Sequence, residues 1–240
     1  MRQATQPKKA STVILVRPNA HGQFELFLTR RPAEMHFLGG MYVFPGGSVK
    51  KEDCSEGTLR CCRGVTKKAA QKTLGMHLSP NVALGHWVAA IRELFEEVGI
   101  LFCVNAVGKP VDMAVIRERL AGKRRTTMKG SMEFREILES EKIFCDLARL
   151  HYFSHWRTPE EFPTRFDTRF YLAPLPQDQN PFASSEEVTH SLWITPDRAL
   201  ELSGRGSLPV IFPTFASLRT LANFDSFESL FAVYQPSKPD

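Results

Sequence analysis

The nonapeptide RELFEEVGI, residues 92–100, places three glutamates in a segment that otherwise has the pattern of an amphipathic helix. On a helix each residue advances by about 100°. With Ile91 as the reference, Leu94, Phe95 and Val98 then fall within roughly 60° of it and form an apolar stripe. The glutamates cluster on the opposite side, and they are Glu93, Glu96 and Glu97. Like charges at these spacings each cost a few tenths of a kcal/mol, so the cluster is either a solvated helix face or a carboxylate site for a divalent cation.

The bulk composition is that of a globular protein. The 240 residues suffice for one large domain, or for one domain carrying insertions, and 42% of them are hydrophobic. A formal net charge of +5 suits an anionic substrate without requiring nucleic acid. The five cysteines show no CxxC spacing, which favours free thiols in a reducing cytoplasm. The first apolar run is too short for a signal peptide and none is long enough to span a membrane, so we predict a soluble, cytoplasmic protein.

The order of local patterns along the chain predicts an α/β domain. Strands are predicted at residues 11–17, 24–31, 41–47, 100–106, 164–175 and 190–195. The central helix is predicted to begin at Ser79 or Asn81 and to end at Val98, before Gly99. Other helices are predicted at 111–122 and 132–153 with a basic loop at 123–130 between them, after Thr195, and twice in the C-terminal part. We therefore predict one domain over residues 10–233, with a helical insertion at about 107–160.

Three neighbouring features favour the cation site over the solvated face. The segment FPGG, residues 44–47, holds a glycine pair that lets the backbone approach a ligand closely. Arg92 adjoins the glutamates and is placed to pair with one of them and fix its rotamer. A hard cation such as Mg²⁺ prefers carboxylate, phosphate and water oxygens, and it turns the repulsion among carboxylates into attraction.

These residues resemble the Nudix box, whose family pattern is G-x5-E-x7-R-E-U-x-E-E-x-G-U, with U apolar. Every fixed position of its second half is filled, by Arg92, Glu93, Leu94, Glu96, Glu97, Gly99 and Ile100. Gly47 matches the opening glycine, and Asp53 stands where the pattern has glutamate. Between Asp53 and Arg92 lie 38 residues where the family has seven, so an insertion at about 54–80 is expected to loop out at little entropic cost. The resemblance implies an α/β/α sandwich with a mixed central sheet.

The segment LFLTRRPAEMHFLGGMYVFPGG, residues 26–47, further resembles the signature of Nudix hydrolases that act on coenzyme A. The matching positions are Thr29, Arg31, Gly40, Phe44, Pro45, Gly46 and Gly47. Pro32 replaces a small residue of that signature, and His36 replaces its second arginine. The later strand RFDTRFYLA, residues 165–173, is similar to one in the acyl-CoA diphosphatase branch, which also has a long insertion in the box. The resemblance implies cleavage of coenzyme A or acyl-CoA to 3′,5′-ADP and (acyl-)phosphopantetheine.

The resemblance also implies roles for individual residues. Mg²⁺ or Mn²⁺ is expected on Glu93, Glu96, Glu97 and the carbonyl of Gly47, with Arg92 as a catalytic partner. The general base is expected to be a box glutamate or a later one, for which Glu187 is the candidate and Glu186 its competitor. The expected substrate contacts are Arg31, His36, Phe44, Gly46, Gly47 and Arg165. For Arg31 and Arg165 a salt bridge or charge ladder remains the alternative.

Two other functions stay open at this point. The same catalysis is compatible with NADH, ADP-ribose or another nucleoside diphosphate derivative as substrate. A non-catalytic nucleotide-sensing module is the alternative of another class, although such modules commonly lose box carboxylates and this chain keeps all three. The insertion at 107–160 could cover an acyl chain, form a homodimer interface, or do both. Nucleic acid is not expected as a partner, because the single basic loop has no interleaved aromatic residues.

Overall fold

The computed structural model describes residues 5–35, 37–128, 132–182 and 188–235. This part of the chain forms a seven-stranded sheet, a three-stranded sheet and eight α-helices. The strands are β1 (Lys8–Pro18), β2 (Phe24–Arg30), β3 (Tyr42–Val43), β4 (Gly46–Ser48), β5 (Cys62–Arg63), β6 (Cys103–Val104), β7 (Phe144–Asp146), β8 (His151–Arg157), β9 (Phe166–Pro174) and β10 (His190–Ile194). The helices are α1 (Glu56–Arg60), α2 (Lys67–Leu74), α3 (Pro80–Val98), α4 (Met113–Met128), α5 (Phe134–Glu141), α6 (Pro196–Gly204), α7 (Phe212–Leu221) and α8 (Phe227–Val233).

Strand β1 lies in the middle of the large sheet, whose order is β10-β2-β1-β9-β8. It runs parallel to β9 and antiparallel to β2 and β4, so the sheet is mixed. The short strands β3 and β4 pair with β2 and β1 beside this order. Because Ser11 of β1 faces Gly47 of β4, the FPGG segment is fastened to the centre of the sheet.

The apolar run in β1 is continuous because both faces of the strand are buried. Val13 and Leu15 point into a hydrophobic cluster shared with α3, whereas Ile14 and Val16 point into a second cluster on the opposite face. The second cluster is closed by residues of the C-terminal helices α6, α7 and α8. Helices therefore cover both faces of the sheet, and the predicted α/β/α sandwich is confirmed.

Helix α3 begins and ends where the local sequence predicts. The side chain of Ser79 accepts a hydrogen bond from the backbone N–H of Val82, and Pro80 occupies the first turn. Gly99 adopts a left-handed conformation with φ of 77° and donates its N–H to the carbonyl of Phe95. Both boundaries are local, and the sequence alone was enough to locate them.

The predicted helix at 132–153 was wrong beyond its first part. Helix α5 ends at Glu141, where Lys142 takes a left-handed conformation, and the chain continues into β7 and β8. Strand β8 forms the sheet edge by pairing with β9, a contact that helical periodicity does not register. Residues 123–128 were predicted as a loop and instead form the last turns of α4. The predicted strand at 100–106 is reduced to β6, which belongs to the small sheet β5-β7-β6.

The segment between the two halves of the box folds into α1, β5 and α2. Helix α2 carries buried Ala70 and Leu74 into the cluster that also contains α3. The division into one domain over 10–233, with insertions at about 54–80 and 107–160, stays a prediction. All five cysteines are free thiols. No helix in the described ranges combines the length and the apolar composition needed to cross a membrane.

Candidate active site

The three glutamates of α3 do not form a solvated face. Glu96 and Glu97 are only 8% and 7% exposed, and the side chain of Glu93 is 13% exposed. Taking a carboxylate out of water is costly unless it is paired or hydrogen-bonded. The partners of these carboxylates therefore decide what the site can do.

Arg92 is the centre of the charge network, and it is 2% exposed. Its Nη1 donates to Glu93 Oε1 at 2.8 Å and to Glu96 Oε2 at 3.0 Å. Its Nε and Nη2 donate to the two carboxylate oxygens of Asp53, at 2.8 and 2.9 Å. Nη2 also reaches the carbonyl of Ser48 at 2.8 Å. Burial alone would lower the pKa of Arg92, but the hydrogen bonds to Asp53 and the charges of Glu93, Asp53 and Glu96 raise it, so the guanidinium stays charged.

Asp53 joins the two halves of the box although it lies 39 positions before Arg92. It is buried, binds the guanidinium with both oxygens, and also accepts the backbone N–H of Lys50 at 2.8 Å. The fork geometry of arginine suits a carboxylate, and an aspartate reaches it here without the longer glutamate chain. The sequence leaves the role of Asp53 open, and the structure shows it to be the anchor of Arg92.

Glu93 lies directly against Gly47. A Cβ atom built on Gly47 would lie 2.6 Å from both Cδ and Oε1 of Glu93, so only glycine leaves room for the carboxylate. Burial raises the pKa of Glu93, with a further contribution from Glu96, while Arg92 lowers it. The first glycine of the pair is equally restricted, because a Cβ on Gly46 would lie 2.4 Å from the carbonyl oxygen of Ser11.

Glu96 and Glu97 are held at their carboxylate ends. Oε2 of Glu97 accepts the backbone N–H of Gly46 at 3.0 Å. Oε2 of Glu96 accepts from Arg92 and lies 3.7 Å from Nζ of Lys50. Oε1 of Glu96 is buried and has no hydrogen-bond partner within the described ranges. An unpartnered, buried carboxylate oxygen is suited to a ligand that brings positive charge.

The donor set fits a hard divalent cation, although the side chains are not arranged around one. Across the described residues, no group of three or more His, Cys, Asp or Glu side chains is placed to hold a metal ion. Arg92 contacts both Glu93 and Glu96, and Glu97 is turned toward Gly46. Several carboxylates and a neighbouring backbone carbonyl are nevertheless what Mg²⁺ or Mn²⁺ uses together with substrate phosphates.

The other predicted site residues have mixed positions. Arg31 donates from Nε to the carbonyl of Phe37, and thereby braces the loop before β3. Phe44 is 3% exposed and belongs to the hydrophobic cluster on the far face of the sheet, so its side chain is a core residue and not a substrate contact. Arg165 is buried, and it donates to the carbonyls of Thr158 and Thr5. Its Nη2 lies 3.7 Å from Oε1 of Glu160, a salt bridge of the kind that the sequence offered as the alternative. The substrate role of Arg165 stays a prediction.

Two predicted residues, His36 and Glu187, lie outside the described residues, as does Glu186.

Arg124, which contacts the last turn of α3, was not predicted from the sequence as a site residue. The signal was present, because Arg124 interrupts the apolar side of a helix at the spacing of an apolar residue. The predicted loop at 123–130 concealed this spacing.

A three-layer sandwich whose buried glutamate helix faces a glycine pair on the central sheet defines the Nudix class. A family model described as the NUDT19 Nudix domain matches residues 7–221, and this chain belongs to that family. The solved structure of a NUDIX hydrolase from Alicyclobacillus acidocaldarius aligns with a TM-score of 0.78 and 26% identity, over 99% of this chain and 100% of that one.

Two relatives with a curated name are similar to most of this chain. The chain is 27% identical over 242 residues to the acyl-coenzyme A diphosphatase NUDT19 of Gallus gallus, covering 86% of this chain and 63% of the relative. It is 29% identical over 243 residues to the protein of that name from Homo sapiens, covering 89% and 64%. The chain therefore spans less than two thirds of the length of these two relatives.

Proposed function

We propose that this chain is a divalent-metal-dependent diphosphatase that hydrolyses coenzyme A or an acyl-CoA to 3′,5′-ADP and (acyl-)phosphopantetheine. The observation that carries the proposal is the set of largely buried carboxylates on α3. Arg92 binds those of Glu93 and Glu96, and the carboxylates of Glu93 and Glu97 contact the glycine pair at 46 and 47. The name of the chicken and human relatives, acyl-coenzyme A diphosphatase, supports the substrate class. The signature positions Thr29, Arg31 and Gly40 support it independently.

In this proposal Glu93, Glu96, Glu97 and the carbonyl of Gly47 hold Mg²⁺ or Mn²⁺. The metal, when bound, offsets the charge of the diphosphate and lowers the pKa of a water molecule. A carboxylate accepts a proton from the attacking water while the oxygen of that water bonds to one phosphorus. The bond between that phosphorus and the bridging oxygen breaks, and the second phosphate leaves with the bridging oxygen. The base is one of the box glutamates or Glu187. Arg92 keeps Glu93 and Glu96 in place through the reaction.

The remaining expectations belong to the same proposal. A cytoplasmic location is supported by the five free thiols. The substrate is a small nucleotide, and no nucleic-acid or membrane partner is proposed. A homodimer through the segment at 107–160 stays a prediction from the sequence.

The test is a metal-dependent cleavage assay. Purified protein is incubated with Mg²⁺ or Mn²⁺ and with coenzyme A, an acyl-CoA, NADH or ADP-ribose, and the products are identified by mass. We expect 3′,5′-ADP from coenzyme A or its ester. Glu96→Gln and Glu97→Gln are expected to lower kcat by roughly 10²–10⁴-fold, because each removes a metal ligand or the base.

Glu118→Gln on the exposed side of α4 is the matched control and should leave kcat unchanged. Faster cleavage of NADH or ADP-ribose would keep the site and overturn the substrate class. Nucleotide binding without cleavage of any compound would favour a sensing module and refute the enzyme.

A further inference from the structure

Helix α4 carries an arginine on its buried side. Its buried residues follow helical spacing, and they are Met113, Ile116, Leu120, Arg124 and Thr127. Arg124 is only 4% exposed and continues the apolar stripe that packs against the core. A guanidinium at such a position destabilises the fold unless its donors are satisfied. The partners of Arg124 therefore explain why it is there.

Those partners are the backbone carbonyls at the end of α3. Nε of Arg124 donates to the carbonyl oxygens of Phe95 at 2.9 Å and Glu96 at 2.8 Å. Nη2 donates to the carbonyl oxygen of Glu97 at 2.8 Å. The last four carbonyls of a helix have no partner within it. Arg124 satisfies two of these carbonyls, those of Glu96 and Glu97. It shares a third, that of Phe95, with the backbone N–H of Gly99.

The guanidinium is also fixed in orientation. Its Cζ atom lies 4.5 Å from the ring centroid of Phe182, so the planar group is stacked on an aromatic face. The backbone N–H of Phe182 donates in turn to the carbonyl of Val98, the last residue of α3. A positive charge at this end of the helix complements its macrodipole. The cap is thus a built contact between the insertion and the box helix.

Glu96 and Glu97 are consequently held at two ends. Arg124 holds their backbone carbonyls, while Arg92 and the N–H of Gly46 hold their carboxylates. We infer that Arg124 is a positioning residue for the Nudix site: it fixes the last turn of α3 so that Glu96 and Glu97 present their carboxylates toward the glycine pair. This inference rests on the proposed function, and it assigns the insertion a part in the chemistry. Arg124 itself touches neither metal nor substrate.

The experiment compares Arg124→Met and Arg124→Lys with Arg117→Met. Methionine fits the apolar stripe without leaving a buried charge, and lysine keeps the charge while losing the planar fork. Arg117 is the matched control, because it lies seven positions earlier on the same helix and is exposed. Within the described residues its guanidinium donates to the carbonyl of Asp178, away from α3. For each protein we would measure the Kd of Mn²⁺ without substrate by electron paramagnetic resonance, kcat and KM at saturating metal, and the thermal midpoint.

We expect Arg124→Met to raise the Kd of Mn²⁺ by about 10–100-fold, as losing a contact that orients metal ligands does elsewhere. The loss of rate should fall on kcat, with KM changed by less than about threefold, because no substrate contact is removed. Arg124→Lys should lie between Arg124→Met and the wild type. Arg117→Met should match the wild type in Kd and kcat.

A folded Arg124→Met with wild-type Mn²⁺ affinity and kcat, or with only a lower thermal midpoint, would overturn the inference. If that variant does not fold, Arg124→Lys decides in the same way, and an unchanged Kd overturns it. The Kd of Mn²⁺ needs no substrate, so a wild-type protein that cleaves nothing would refute the proposed function while the role of Arg124 is still tested.

Discussion

Glu93 shows how strongly a single glycine shapes this site. Its carboxylate occupies the space that any side chain at position 47 would need, while Arg92 holds one of its oxygens. The contact is made by the flexible end of Glu93 and not by backbone, so the fold itself does not depend on it. The cost of a larger residue should therefore appear in metal binding before it appears in stability.

Gly47→Ala is expected to lower the affinity for Mn²⁺ by about 10–100-fold, because the new methyl group forces the carboxylate of Glu93 aside. Isothermal titration with Mn²⁺ measures this, alongside a thermal melt that should stay close to the wild type.

Gly122→Ala is the matched control for that substitution. Gly122 lies within α4, and a Cβ atom there would meet nothing within 4 Å. Replacement should leave Mn²⁺ affinity unchanged and stabilise the helix by up to about 1 kcal/mol. Wild-type affinity in Gly47→Ala would contradict the argument from close approach.

At the scale of elements, the pair Asp53–Arg92 joins two segments that lie 39 positions apart in the sequence. The turn that contains Asp53 lies before α1, and Arg92 lies in the third quarter of α3, yet their side chains form a bidentate pair that is almost fully buried. A buried pair adds little when compared with apolar packing, but breaking one side of it is expensive. The pair therefore fastens the segment that precedes α1 to the box helix.

Asp53→Asn is expected to lower the free energy of unfolding by about 3 kcal/mol at pH 7, because Arg92 keeps its buried charge while losing the charge of its bidentate carboxylate partner. Urea denaturation monitored by circular dichroism would measure it.

Glu56→Gln tests an exposed pair between α1 and α2, where Glu56 contacts Lys67 at 2.6 Å. Since solvent screens this pair, the urea midpoint of Glu56→Gln should stay near that of the wild type. Equal midpoints for Asp53→Asn and Glu56→Gln would show that the buried pair does not fasten the box.

At the scale of the whole molecule, the contact between α3 and the large sheet contains a buried histidine. His86 is fully buried, and its Nδ1 lies 3.0 Å from the hydroxyl oxygen of Ser11 on β1. Burial lowers the pKa of His86 to about 3, with Arg169 and Lys9 lowering it and Asp167 and the backbone at Ala10 raising it. The layer contact thus keeps His86 neutral in the folded protein at pH values well above 3.

This pKa predicts acid sensitivity with a definite sign. In the unfolded chain the histidine takes up a proton below about pH 6.5, while in the folded protein it does so only near pH 3. Between these values the unfolded chain binds the extra proton, so the free energy of unfolding falls as the pH falls, by up to about 1.4 kcal/mol per pH unit. His86→Asn, which can still bond to Ser11, should remove this part of the slope.

Urea denaturation of the wild type and of His86→Asn at pH 7.5, 6.0 and 5.0 provides the comparison. The two proteins have the same carboxylates, so the difference between their pH profiles reports on His86. Parallel pH profiles would mean that His86 is protonated in the folded protein, contrary to its burial.

The accuracy of sequence-based prediction varied with the range of the interactions involved. The bounds of α3 depend on Ser79, Pro80 and Gly99, all within the helix or next to it, and they were predicted to within a residue. The run 132–153 looked helical, but its second half became β7, which pairs with β5 and β6, and β8, which pairs with β9. These long-range pairings outweighed local periodicity. Phe44 matched a signature and proved to be core, since a motif does not state which way its side chains point.

The sequence by itself determined the family, the central helix and the glutamates of the candidate site, because a short run of residues with fixed spacing carries them. Only the tertiary structure decided that the glutamates are buried, that Asp53 binds Arg92 across 39 positions, and that Arg124 caps the helix that bears Glu96 and Glu97. Burial and long-range pairing depend on which surfaces meet when the layers pack. That information is distributed over the whole chain, so no single stretch of sequence displays it.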